Sequence, residues 1–301
     1  MTEGGGSEAR FGTVALIGRP NVGKSTLINS LVGQQLSIVT HKPQTTRHRV
    51  LGIVTREEGQ VLFVDTPGIH GGERRAINRY MNRAAKGALE GVDAVVCVFD
   101  ANRWTREDAR VLDVVARSRA PKLAALNKID RMHGRERLLP LMEELGERGE
   151  FRHIVPISAK TGDGLEELVQ AVLGELPVGE PAYDPELFTD ASMRFLAAEL
   201  VREQLILRLH QEVPYRLAVE IESFEEGPRR FRISAVIWVE QSGQKAMVIG
   251  RRGEMLKTVG TRARQAMGRL FGRPVHLELW VKVKENWSDD ERALRRLGYD
   301  D

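Results

Sequence analysis

Sulfur chemistry is nearly absent from this chain. Its 301 residues include one cysteine, Cys97, so neither an intramolecular disulfide nor a cysteine-based zinc site can form. A reducing, cytoplasmic setting is the expectation that follows. No apolar run approaches the roughly 20 residues that span a bilayer. Residues 1–10, MTEGGGSEAR, lack the apolar segment of a secretory signal and read as a disordered leader. A large charge of one sign is missing too. The 45 Lys and Arg face 42 Asp and Glu, for a formal +3, which excludes a general polyanion binder and an acidic tail. What remains is ordinary globular composition, 42% apolar and 29% charged, in a length that suits two domains of about 150 residues.

From 12 to about 176, short unbroken apolar runs (13–18, 61–65, 94–100, 123–127, 154–158) alternate with amphipathic stretches at 25–32, 78–90, 106–118, 135–147 and 164–175. Apolar runs of strand length, each ending in a small or polar residue, are how buried parallel strands read, with functional loops at their carboxyl ends. The expected fold is therefore a doubly wound, mostly parallel α/β domain over 11–176. Residues 51–56 add an antiparallel edge strand turned at Glu58 and Gly59. Pro177, Pro181 and Pro185 then mark a linker over 177–189.

Three loops carry nucleotide chemistry. Gly18-Arg19-Pro20-Asn21-Val22-Gly23-Lys24-Ser25 fits G-x-x-x-x-G-K-S between a strand and a helix, with Thr26 following. Such a loop aims backbone N–H groups at phosphates, Lys24 adds charge, and Ser25 offers a hydroxyl to Mg²⁺. Asp65-Thr66-Pro67-Gly68 ends the next strand: Asp65 can hold Mg²⁺ through water, and the Gly68 N–H can meet the γ-phosphate. Asn127-Lys128-Ile129-Asp130 selects the base. A carboxylate at Asp130 accepts from the ring N–H and amine of guanine, and adenine would leave it unpaired. Ser158, Ala159 and Lys160 complete that pocket, with a backbone N–H facing the guanine oxygen. The ligand is GTP or GDP with Mg²⁺. Within the switch region 33–50, either Thr45 or Thr46 can reach the metal, and Thr46 is the expected ligand. Lys24, Thr46 and Gly68 are the groups expected to act on the transferring phosphoryl. Ile69 stands where many GTPases carry a water-orienting glutamine. Slow intrinsic hydrolysis is expected, with K⁺, held partly by Asn21, as a candidate source of charge. His70 beside it reads as an exposed loop residue rather than a base.

The second half has a different pattern: a helix from an Asp190 cap to about 210, strands over 215–225 and 230–240, a helix–turn–helix over 243–270, a strand over 275–284 and a short helix over 288–297 capped by Ser288. Residues 241–284 hold ten Lys or Arg against two acids, while 181–240 hold seven against eleven. Gathered basic charge on a small module points to nucleic acid. At its centre lies Gly250-Arg251-Arg252-Gly253, preceded by Val248 and Ile249 and flanked by Lys245 and Lys257. A G-x-x-G turn between two helices clamps backbone phosphates beside an apolar groove for unstacked single-stranded RNA bases, which is the α+β type II KH arrangement expected over 190–301. Trp238, Phe271, Trp280 and Trp287 read as packing rather than stacking platforms.

A single GTPase domain, a proline-bearing linker and a C-terminal KH domain resemble the Era family of bacterial GTPases. The resemblance rests on GRPNVGKS, QTTRH, DTPGI and NKID, and on AINRYMNRAA, AELVREQ, EVPYRLAVEIESF and IGRRGEMLK. It implies binding of small-subunit ribosomal RNA near its 3′ end, action in assembly of the 30S subunit, and cytoplasmic residence with some peripheral contact at the inner membrane; a monomer with no DNA partner is the further expectation. The alternative from another class is a GTP-sensing module with a protein or membrane partner and a purely structural KH fold.

Overall fold

The computed structural model describes residues 8–40, 42, 45–68, 76–132, 134–210 and 213–296. The expectations for Ile69, His70 and the first seven residues lie outside them. By internal contacts the described residues divide into two units, one of 8–37, 46–68 and 81–190, the other of the remainder.

The first unit is a six-stranded sheet in the order β2-β3-β1-β4-β5-β6. Its strands are β1 (Arg10–Ile17), β2 (Val50–Arg56), β3 (Gly59–Asp65), β4 (Ala94–Asp100), β5 (Lys122–Asn127) and β6 (His153–Ile157). Only β2 runs antiparallel, paired with β3 from Val50 opposite Asp65 to Arg56 opposite Gly59. The helices are α1 (Lys24–Val32), α2 (Ala76–Gly87), α3 (Arg106–Val115), α4 (Leu138–Arg148) and α5 (Leu165–Glu175). Residues alternate between two cores, one on each face. Val14, Leu16, Phe63, Val96 and Val98 join one, and Ala15, Ile17, Val95, Cys97 and Phe99 the other. That two-sided burial is why the strands are apolar without interruption. Burial also pushes the Cys97 thiol up to about 12, an inert thiol. The chain passes from one side of β1 to the other, so β1 ends at the crevice where ligands of open α/β sheets bind.

The stretch read as a linker, 177–189, is tied along this sheet. Phe11 N donates to Pro177 O at 3.1 Å, Ile53 N to Phe188 O at 2.9 Å, and Thr189 Oγ1 to Leu51 O at 2.6 Å. The buried Gln60 side chain accepts from Tyr183 N and donates to Tyr183 O.

The second unit has one sheet, β7 (Leu217–Glu226), β8 (Phe231–Val239) and β9 (Val275–Val283), with β7 antiparallel and β9 parallel to β8. α6 (Met193–Arg208), α7 (Ser242–Ile249) and α8 (Glu254–Leu270) contribute to its core, and α9 (Glu291–Arg296) follows β9. Ser192, rather than Asp190, caps α6, its hydroxyl accepting from Phe195 N at 3.2 Å. Ser288 is buried and donates to Glu240 at 2.5 Å instead of capping the last helix, and Asp290 accepts the Arg292 N–H there. Both helix caps shift because Ser192, not Asp190, stands at the first residue before α6, and Glu240 holds the Ser288 hydroxyl.

Phe231 is fully buried and touches the rings of Phe224 and Phe271, at 5.5 and 5.7 Å between centroids. Phe231→Ala is expected to lower the unfolding free energy by about 3–5 kcal/mol, read from the shift of the urea transition.

Candidate nucleotide and RNA sites

The loop 18–25 joins β1 to α1 at that crevice. Three backbone features make it turn. Asn21 and Gly23 adopt left-handed backbone, at φ 64 and 107, and a Cβ on Gly23 would lie 2.3 Å from Asn127 Nδ2. Lys24 is buried and donates to Gly18 O at 2.8 Å and Arg19 O at 3.1 Å, which holds its ammonium inside the loop. Val22 is buried beneath it, and Pro20 lies close to Gly68, where a Cβ would come within 3.0 Å of Pro20 N.

The three expected metal groups come together. Ser25 Oγ lies 2.9 Å from Thr46 Oγ1 and donates to Asp65 Oδ2 at 3.1 Å; Thr46 Oγ1 is 3.5 Å from the same oxygen. Thr45 turns away, its hydroxyl on Thr40 and its carbonyl accepting from Arg202 Nη2 at 2.6 Å. Ser37, which the sequence did not single out, also donates to Asp65 Oδ2 at 2.9 Å. Burial pushes the Asp65 carboxyl above its ordinary range, against the nearby Lys24 charge and the Ser37, Ser25 and Thr46 hydroxyls. Its Oδ1 is buried with no hydrogen-bond partner. A hard cation with oxygen ligands fits this set, two hydroxyls and an unsatisfied buried carboxylate oxygen beside the phosphate loop. Thr66 is buried, with its hydroxyl on Leu16 O at 2.9 Å, so it anchors the Asp65–Gly68 loop to β1. Pro67 is buried there and Thr26 half-buried on α1.

The base-reading residues are linked to the loop from behind. Asn127 Nδ2 donates to Val22 O at 2.8 Å, while its Oδ1 accepts from Lys128 N and Ala159 N at 2.8 and 2.9 Å. Of the backbone N–H groups of 158–160, that of Ala159 is thus bonded to Asn127. Lys128 has left-handed backbone, φ 69, and its ammonium joins Asn21 O at 2.6 Å and Asp100 Oδ2 at 2.7 Å. Asp130 is exposed, with Oδ1 accepting from Ser158 Oγ at 2.8 Å. Lys160 is exposed. Asn21, considered for K⁺, is exposed with its carbonyl on Lys128. Among the described residues no cluster of three His, Cys, Asp or Glu could hold a metal.

In the second unit, Gly250 (φ 74, ψ 175) and Gly253 (φ 80) bracket the turn between α7 and α8. A Cβ at Gly250 would lie 2.5 Å from Met255 Cβ, so only glycine fits. Arg252 is itself left-handed, at φ 52 and ψ 24, and both Arg251 and Arg252 are exposed. Lys257 is exposed and Lys245 half-buried beside them. Val248 is a correction: it is fully buried, because its place on α7 turns it into the core of the second unit. Ile249 is half-buried, and Met247 is 52% exposed. Trp287 is packing, as expected, whereas Trp280 is 58% exposed on the outer sheet face.

A phosphate loop, a hydroxyl–carboxylate metal set and a guanine-reading motif, on a chain that also carries a KH turn, define a GTPase with a KH domain. Family models agree: "50S ribosome-binding GTPase" matches residues 13–128 and "KH domain" residues 212–288. The GTPase Era of Stenotrophomonas maltophilia (strain R551-3) is 53% identical over 289 residues, 96% of this chain and 97% of that one. The GTPase Era of Xanthomonas campestris pv. campestris is 53% identical, over 98% and 99% of the two chains. Among solved structures, Era in complex with MgGDPNP and nucleotides 1506–1542 of 16S ribosomal RNA superposes with a TM-score of 0.93 at 39% identity, over 97% of this chain and 99% of that one. An Aquifex aeolicus Era variant bound to GDP·AlF4⁻ gives 0.91 at 39%, over 96% and 99%. The chain belongs to the Era family of GTPases and is a GTP hydrolase using GTP, GDP and Mg²⁺.

Burial holds the Lys24 ammonium down to about 8, with Asp65 opposing and Arg19 adding to the effect. A bound phosphate raises it again, so binding above pH 8 must take up a proton. GDP affinity is expected to be flat below that pH and to fall as pH rises beyond it, by up to about tenfold per unit. Titration with a fluorescent GDP between about pH 7 and 9 measures this, and a flat profile would show that Lys24 stays charged.

Proposed function

We propose that this chain hydrolyses GTP in a cycle coupled to binding of small-subunit ribosomal RNA near its 3′ end, and that it acts in assembly of the 30S subunit. The observation that carries the reading is the Gly250–Gly253 turn, with left-handed backbone at Arg252 and two exposed arginines, on the same chain as a complete guanine-nucleotide site. The solved Era complex holds a 16S ribosomal RNA fragment, which favours the small subunit although the GTPase family model is named for the 50S. Gly250, Arg251, Arg252 and Gly253, with Lys245 and Lys257, receive the RNA backbone, and the Met247–Ile249 side of α7 receives unstacked bases. We place the protein in the cytoplasm, as a monomer. No helix of the described residues is long and apolar enough to cross a membrane.

For hydrolysis, the backbone N–H groups of 20–25 cradle the β-phosphate and Lys24 neutralises charge as the γ-phosphoryl leaves. Ser25, Thr46 and Asp65 hold Mg²⁺, which when bound offsets charge on the phosphate oxygens. Thr46 closes the switch over the γ-phosphate, and the Gly68 N–H meets the same group, so both contacts are lost with it. Asp130 accepts from guanine, and the Lys128 stem lies against the base.

Reversal of the turn's charge, Arg251→Glu with Arg252→Glu, is expected to weaken binding of a 16S 3′-end oligonucleotide by about two orders of magnitude, and raised salt to weaken the native protein's RNA binding while leaving GTP binding nearly unchanged. Undiminished RNA binding in a filter assay of the double variant would leave the KH fold structural and favour a protein-coupled GTP sensor. Turnover is expected to be faster in KCl than in equimolar NaCl, and equal rates would remove K⁺ at Asn21 from the mechanism.

A further inference from the structure

Arg19 occupies the first variable position of the phosphate loop, yet its side chain turns away from the place a phosphate would take. It is only 8% exposed. Its Nε donates to both carboxylate oxygens of Asp108, at 3.0 and 2.9 Å, and Nη2 donates to Arg103 O at 3.1 Å. Asp108 is 1% exposed and lies in the first turn of α3, 89 residues further along the chain. It already satisfies that helix end, accepting from Thr105 N and Thr105 Oγ1 at 2.8 Å each. The ion pair with Arg19 is therefore an addition to the cap, not a requirement of it.

The same loop residue is fixed at its other end, because Arg19 O accepts from Lys24 Nζ. Residue 19 is thus clamped between the buried lysine that meets phosphate and a buried carboxylate on a different helix. Asp100, at the end of β4, extends the chain of charges: it lies 3.9 Å from Arg19 Nη2 and binds Lys128, whose ammonium returns to Asn21 O. Lys128, Asn102 and burial act together on Asp100. Burial pushes its pKa up, but the Lys128 and Asn102 contacts outweigh that and leave the carboxyl below its ordinary range. It therefore stays ionised through neutral pH.

We propose that Asp108 is a positioning residue for nucleotide binding: through Arg19 it holds the first turn of the phosphate loop against the N-terminus of α3. An anion-binding loop is effective only if its N–H groups already point at the ligand. A loop whose first residue could swing would have to be ordered on each binding event, at a cost in affinity. The effect falls on GDP and GTP alike, so it belongs to ground-state binding rather than to the chemical step.

The test uses the full-length protein, with fluorescent-GDP dissociation by stopped flow and steady-state GTP hydrolysis. Asp108→Asn and Arg19→Gln are each expected to speed GDP release by about tenfold, the loss typical of a charge-assisted hydrogen bond. The loss should show in KM rather than in kcat. The double variant should be no worse than the poorer single one, since both act through one contact. Thr105→Val removes the hydroxyl that donates to Asp108 but not the ion pair; it should lower the unfolding midpoint and leave GDP release within about twofold. Unchanged release in Arg19→Gln, additive effects in the double variant, or equally fast release in Thr105→Val would each overturn the proposal. Should Asp108→Asn fail to fold, Arg19→Gln and Thr105→Val alone decide it. The inference rests on 18–25 being the phosphate loop, and Lys24→Ala tests that separately: retained GDP binding there would refute the loop assignment whatever the pair does.

Discussion

The organising constraint is the conformation of the six residues between β1 and α1, 18–23. Their N–H groups must face an anion, so their carbonyls must face the protein and find donors there. Val22 O takes Asn127, Asn21 O takes Lys128, and Gly18 O and Arg19 O take Lys24. Two of these donors come from the motif that reads the base, so the base pocket and the phosphate loop are one hydrogen-bonded structure. The sheet order makes this unavoidable, because β1 lies beside β4, and β4 beside β5, whose end carries Asn127.

Around that loop the metal groups form a second cluster. Asp65 is buried among three hydroxyls with one oxygen unsatisfied. A buried carboxylate left in this state is costly without a cation, and it lies where phosphate oxygens would supply the remaining ligands. Thr46 completes the cluster from the switch segment, while its neighbour Thr45 is bonded to Arg202.

The second unit solves a different problem with the same means. Its turn uses glycine where a Cβ would strike Met255, and tolerates left-handed backbone at Arg252 to project two charges. The basic excess confined to 241–284 is offset by acidic flanks, so the long-range field is small and attraction is local to the turn. Both the strands and the turn were legible in the sequence because each depends on local pattern: unbroken Val and Ile runs, and paired glycines between two helical stretches. The Asp190 cap, the Ser288 cap and the burial of Val248 were not legible there, since each turned on which partner lies nearest in space. Ser192 reaches Phe195, Ser288 reaches Glu240, and the α7 register directs Val248 inward.

The sequence by itself determined the two-unit layout and the residues of the phosphate loop, because these follow from residue types at fixed short spacings. Only the tertiary structure decided which of Thr45 and Thr46 meets Ser25, that residues 177–189 lie bound along the sheet, and that Arg19 belongs to Asp108. Those are contacts between residues tens of positions apart. Their energy comes from burial and charge pairing that no local pattern encodes, and so they exist only once the sheet has brought the loop ends together.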